Sequence, residues 1–204
     1  MNAELEKLLQ GDGRIWRGRR ADAPWPVLAT GYPELDRVLP GGGWPAGALI
    51  EMGVAAWGIG ELRLLLPVMR RLHEMHRWLI WIEPPFEPYA PALCRHGLDL
   101  QRMLRVEAGA VVSDVWWAME KFLRHPAVGL VMAWPKRLEH TALRRLQLAA
   151  EDGGTLGVLF HRQQGANTPA ALKLALQAAG DGLDVNLLKV RGGFGGTTVR
   201  VTLE

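Results

Sequence analysis

The chain is poor in the residues that usually announce a chemistry. It has one cysteine, Cys94, so no internal disulfide can form, and without a catalytic setting the thiol is expected to be buried or partly buried. It has one serine, Ser113. That residue lacks the glycine-flanked elbow of a hydrolase nucleophile and, with Asp114, is expected to cap a helix. Long apolar runs are missing too. The most apolar stretches, such as LRLLLPVM at 62–69, are broken by Arg, Glu or Pro, which argues against a spanning helix. The start, MNAELEKLLQ, is polar and amphipathic without a signal-peptide layout, so a cytoplasmic protein with no membrane contact is expected. His73 and His76 sit at i and i+3 with no third ligand in view, so no metal or other cofactor is expected.

What is present suits one core. The chain has 204 residues, 49% hydrophobic and 22% charged, enough to bury a substantial interior. Apolar segments at 48–52, 77–83, 128–134 and 155–161 read as strands. Helical spacing fills the intervals at 59–76, 88–96, 113–125 and 138–151, with a kink expected at Pro67. A further helical stretch is expected near 169–178. The segments GLDVNLLKVRGG and TTVRVTL alternate with the period of strands and predict a terminal hairpin. The fold class is therefore α/β, a mostly parallel sheet flanked by helices with C-terminal antiparallel strands. Residues 1–24 read as an N-terminal helix and strand arm and 25–204 as a single core.

The most informative segment is GVAAWGIGEL, 53–62. Gly53, four residues and Gly58, after an apolar strand, have the frame of a phosphate-binding loop. Such a loop works through backbone N–H groups over a helix N-terminus, a Lys that reaches the phosphates and a Ser or Thr that holds Mg²⁺. Ile59 stands in place of the Lys and Gly60 in place of the hydroxyl. Glu61 follows and is expected to repel a polyphosphate. The acidic residue that would orient Mg²⁺ from the end of a later strand is also missing: GLVMAW ends in Trp134. No nucleotide is expected to bind, and the protein is not expected to be an enzyme.

The segment TGYPELDRVLPGGGWPAGALIEM, 30–52, resembles the lead-in to the ATP site of the RecA recombinase family. Thr30, Gly31, Leu35, Asp36, Leu39, Gly41 to Gly43, Pro45, Gly47 and Glu51 fit its pattern. The resemblance implies a RecA-like core and places Glu83 where that family has its catalytic glutamate. His161 and Arg162 fall where it has an Asn-Gln pair. The stretch LPGGGWPAGAL followed by GIGELRLLLPVMRRL, with LLKVRGG near the end, is similar to the ImuA family. That family implies DNA-damage tolerance, with ImuB and the polymerase DnaE2 as partners and RecA and single-stranded DNA as further contacts. Residues 64–81 also resemble the SulA family, which implies inhibition of cell division through FtsZ. A residual ATPase is the third reading.

Surface candidates complete the reading. Lys136, Arg137, Arg144, Arg145 and Arg162 are candidate contacts to a DNA backbone, within a net charge of +3 that permits nucleic-acid binding without requiring it. Ile15, Trp16, Trp57 and Trp134 are candidate partner-interface residues, as tryptophan is enriched at interface hot spots. The arm gives a route to homo-oligomers as well as to a partner. Adjacent Trp116 and Trp117 point about 100° apart on a helix, so one is expected to pack and the other to reach the surface.

Overall fold

The computed structural model describes residues 26–107, 112–162, 168–191 and 195–203. The arm expected at 1–24, with Ile15 and Trp16, lies outside the described residues.

The sheet is assembled from the apolar segments. β3 (Leu49–Val54) lies near its middle. On one side follow β7 (Leu156–His161), β6 (Val128–Ala133), β4 (Trp78–Ile82) and β5 (Met103–Val106), each parallel to its neighbour. On the other side β8 (Leu172–Ala179) pairs parallel to β3. Then β9 (Gly182–Val190) and β10 (Thr197–Thr202) continue antiparallel. The order is β10-β9-β8-β3-β7-β6-β4-β5. A separate pair joins β1 (Val27–Leu28) to β2 (Trp44–Pro45).

Each face is buried by different elements. Ile50, Met52 and Val54 of β3 point toward α2 (Leu66–Glu74) and the segment before β3, in a cluster with Leu35, Trp44, Leu65 and Met69. Leu49, Ile80, Ile82 and Val131 point the other way, against Trp116 and Met119 of α4 (Val112–Leu123) and Leu143 and Leu146 of α5 (His140–Gly153). Strands β6 and β7 are buried along their whole length, as a parallel sheet covered on both faces requires. Beyond β3 the second cover ends. On β9, Leu183, Val185 and Leu187 are buried while Asp184 and Asn186 are half-buried and Leu188 is exposed, the alternation of a sheet with one wet face.

The lead-in is architectural. The Thr30 N–H donates to Asp36 Oδ1 at 2.9 Å, and the Tyr32 N–H donates to Thr30 Oγ1 at 3.0 Å. These bonds close the chain around α1 (Pro33–Asp36). A Cβ on Gly31 would stand 2.4 Å from the Pro67 ring, so only glycine lets this turn lie on the start of α2. Tyr32 Oη donates to the Arg63 carbonyl at 3.1 Å, tying the lead-in to the turn after the glycine loop.

Four expectations of local structure are corrected. The stretch 169–178 is mostly strand β8, not helix; its Leu, Lys, Gln and Ala are good helix formers, but burying Leu172, Leu174 and Leu176 beside β3 decides the outcome. Pro67 sits in the first turn of α2, where its missing N–H has no helical partner to lose, so the kink does not arise. Ser113 lies inside α4 and its hydroxyl bonds Asp114 Oδ1 at 3.4 Å, so it is not the cap. Cys94, near the end of α3 (Ala90–Arg95), is exposed where a buried or partly buried thiol was expected. The terminal hairpin forms as expected from β9 and β10.

Candidate functional site

The glycine loop leaves β3 after Val54 and enters a tight turn, Arg63–Leu65, before α2. Gly58 and Gly60 both have positive φ, 83° and 112°, a region open to glycine and strained for a side chain. Their N–H groups converge on a single anion, the carboxylate of Glu61. The Gly58 N–H donates to Oε1 at 2.9 Å and the Gly60 N–H to Oε2 at 3.1 Å. Glu61 is 5% exposed. This corrects the expectation of simple repulsion: the acid lies inside the nest and takes the amides that a phosphate would need. Two charge-assisted bonds satisfy the buried carboxylate and fix the loop. Ile59 and Trp57 are half-buried and pack against the core on the α2 face.

Trp134 directly follows β6. It is 7% exposed, stacked between Trp81 at 5.8 Å and Phe160 at 4.9 Å between ring centroids. Its reading as an interface residue is therefore corrected, because both faces of the indole are already covered. Glu83 directly follows β4, with φ 52° and its N–H donating to the Val106 carbonyl at 3.0 Å. Its backbone links the β4 end to the β5 end. Trp116 and Trp117 divide as expected: Trp116 is buried, while Trp117 is 60% exposed with the Lys121 ammonium 5.9 Å from its ring centroid.

The basic candidates do not share one environment. Lys136 and Arg137 are exposed just after β6, Arg144 and Arg145 are exposed on α5, and Arg162 is exposed just after β7. Arg145 is committed to Glu120 of α4, which Arg124 also reaches at 3.4 Å. Of the histidine pair, His73 is buried and accepts from the Asp99 N–H through Nδ1 at 3.1 Å, while His76 is exposed. Burial pushes the His73 pKa down from its ordinary 6.5, against the Arg102 hydrogen bond and the Asp99 charge, which raise it. No cluster of three metal-ligating side chains occurs among the described residues. No helix among them is long and apolar enough to cross a membrane.

The fold and site define an α/β protein whose glycine loop has closed on its own carboxylate. Known proteins share this chain's sequence. The family model of the cell division inhibitor SulA matches residues 58–157. Protein ImuA of Caulobacter vibrioides (strain NA1000 / CB15N) is 30% identical over 145 residues, covering 69% of this chain and 59% of that protein. The cell division inhibitor SulA of Edwardsiella piscicida is 31% identical over 129 residues, covering 62% of this chain and 74% of that protein. The crystal structure of SulA from Pseudomonas aeruginosa aligns with 57% of this chain and 98% of its own, at 28% identity and a TM-score of 0.46. The chain belongs to the ImuA/SulA-like family. It spans about three fifths of the length of its ImuA relative.

Sequence reasoning found the loop frame and its missing groups but misjudged Glu61. The signal was present: an acid three residues after a glycine can turn back onto that glycine's N–H. It also passed over Glu51 as a buried charge and Thr168 as its partner.

Proposed function

We propose that the protein is a non-catalytic adaptor with a RecA-like core, acting in a DNA-damage-induced mutagenic translesion complex with ImuB and DnaE2. The observation that carries the non-catalytic part is Glu61 seated on the Gly58 and Gly60 amides. A triphosphate would have to displace this buried carboxylate, with no Lys at Ile59 to attract it and no hydroxyl at Gly60 to hold Mg²⁺. The similarity to ImuA over 145 residues, a longer stretch than the 58–157 matched by the SulA model, supports the ImuB assignment over the alternative. RecA and single-stranded DNA are further contacts in this reading, with Lys136, Arg137, Arg144 and Arg162 as the backbone-binding side chains.

Co-purification with ImuB tests the adaptor role; a chain that ignores ImuB at micromolar concentration overturns it. Calorimetry with ATP and Mg²⁺ tests the loss of catalysis, and clear saturable heat would count against it. The second reading, a SulA-like inhibitor acting on FtsZ, is favoured by the family match over 58–157 and by the 74% coverage of one SulA relative. Over-expression separates the two: filamentous cells with arrested division rings support inhibition, normal division the adaptor.

A further inference from the structure

A cavity of about 290 Å³ opens on the sheet face that α4 and α5 leave uncovered, at the ends of β3 and β7 and over β8 and β9. His161, Lys173 and Asn186 are among its polar lining, and Gly53 and Ala175 give it a low floor. The register explains the grouping: Gly53 lies opposite both His161 and Ala175, and Ala175 lies opposite Asn186. A Cβ at Gly53 would stand 3.6 Å from His161 Cε1, so the edge of the imidazole borders bare backbone. None of Gly58 to Glu61 lines the cavity, so it is separate from the nest that Glu61 fills.

The charges at its inner end are matched. Glu51 is 1% exposed, lies opposite Lys173 in the β3–β8 register and 3.5 Å from His161 Nε2, and accepts the Thr168 hydroxyl. What is unmet is hydrogen bonding. His161 is 3% exposed, yet neither ring nitrogen has a hydrogen-bond partner, and the buried Asn186 Oδ1 has none either. A buried polar atom without a partner is costly and calls for an explanation. The carboxylate beside Nε2 favours the tautomer with its proton there, which leaves Nδ1 as an acceptor. Two acceptors, His161 Nδ1 and Asn186 Oδ1, are therefore left without a donor. Ala55, Ala175 and Leu188 add apolar surface. One water takes about 30 Å³, so the space is several times that of a lone bridging water.

We infer that this cavity binds a small neutral molecule with an edge of N–H donors, a primary carboxamide or an amino-substituted heterocycle, which donates to His161 Nδ1 and Asn186 Oδ1. Both groups are planar and suit the low floor at Gly53 and Ala175. Their own acceptor faces the mouth, where Arg162 is exposed. A carboxylate or phosphate brings acceptors to a place that already has them. An ammonium brings charge to a place whose acid is already met by Lys173. The inference stands apart from the adaptor reading.

Calorimetric titration of the full chain with nicotinamide and with cytosine tests this, the two probes distinguishing the carboxamide from the heterocycle. N,N-diethylnicotinamide, which keeps the ring and the carbonyl but has no N–H, is the comparison. The expected result is saturable binding in the millimolar range or tighter for at least one of the two probes. The blocked amide should bind at least tenfold more weakly, about the worth of one hydrogen bond lost in a buried site. Asn186→Leu removes one acceptor at a half-buried position and should weaken binding about tenfold while the thermal transition shows the fold intact. The imidazole gives a second readout: in isotope-labelled protein the His161 Nδ1 resonance should be that of an unprotonated nitrogen and should move on saturation. Absence of saturable heat with both probes overturns the inference. So does equal affinity for the blocked amide, unchanged affinity in Asn186→Leu, or an unmoved Nδ1 resonance. None of these outcomes bears on ImuB binding.

Discussion

The two halves of the sheet are built to different rules. From β3 to β5 the strands are parallel, and β6 and β7, covered on both faces, are buried along their whole length. From β8 to β10 one face still carries the core, through Leu174, Leu183, Val185 and Val201, while the other is half-open and polar. In the first half β4, β5 and β6 fall inside the segment matched by the SulA family model, 58–157; the lead-in, β3, most of β7 and β8 to β10 fall outside it. The matched half is where covering helices leave side chains little choice. The other half holds the open cavity. An α/β sheet of this kind puts its function at strand ends and on uncovered surface, while its doubly covered strands hold it together.

Breaking the covered half should have the largest effect. Trp134→Ala removes the centre of the Trp81–Trp134–Phe160 stack and should cost about 3–5 kcal/mol of stability, the usual range for deleting a buried aromatic side chain. The denaturant midpoint measures it. A loss under about 1 kcal/mol, as expected of a surface residue, would mean that the stack is not part of the core. Next is the loop. Glu61→Ala strands the Gly58 and Gly60 N–H groups and should cost about 1–3 kcal/mol. The same variant offers an open nest, so it should bind pyrophosphate more tightly than the wild type at this site. If it does not, occupation by Glu61 is not what keeps phosphate out.

Much of this contrast was legible in the residues. The covered strands read as continuous apolar runs, and the terminal hairpin read as alternation, because in each the side-chain pattern states which faces are wet. The strand β8 was not legible. Its LKLALQAA composition satisfies a helix locally, and only pairing with β3 makes the alternation of Leu172, Leu174 and Leu176 decisive. The missing Lys, hydroxyl and acid at Ile59, Gly60 and Trp134 were plain from spacing alone. Glu61 carried only a spacing signal, three residues after Gly58, which the loop's curvature made decisive; the Glu51–His161–Thr168 cluster depended on strand register and could not be read from residue types. Trp134 looked available because strand ends often are; its two aromatic neighbours come from strands distant in sequence.

A smaller effect distinguishes the β4 edge of the covered half by pH. Burial disfavours the charged ring and lowers the His73 pKa below its ordinary 6.5 in the folded state. Its pKa is depressed on folding, so the unfolded chain binds the proton first. The stability associated with His73 is therefore complete above about pH 6.5 and is lost as pH falls through that value toward the folded pKa. His73→Gln should flatten the stability profile between pH 7 and 5 relative to wild type. An unchanged slope would assign the acid sensitivity to another group.

The smallest effect should come from the surface between α4 and α5. Arg145 pairs with Glu120 while 60% exposed at the side chain, and Glu120 retains Arg124 when Arg145 is removed. Water screens such a pair, and ordering two long side chains offsets much of its attraction, so Arg145→Ala should shift stability by less than about 1 kcal/mol. Its value is as a control on the DNA-binding proposal. An arginine held by a carboxylate has less charge to give a phosphate backbone than Arg144, for which no such pair is seen among the described residues. In a salt titration of single-strand binding, Arg144→Ala should lower the slope by about one and Arg145→Ala by less. Equal losses would show that the Glu120 pair opens on binding, and no loss in either would remove α5 from the DNA surface.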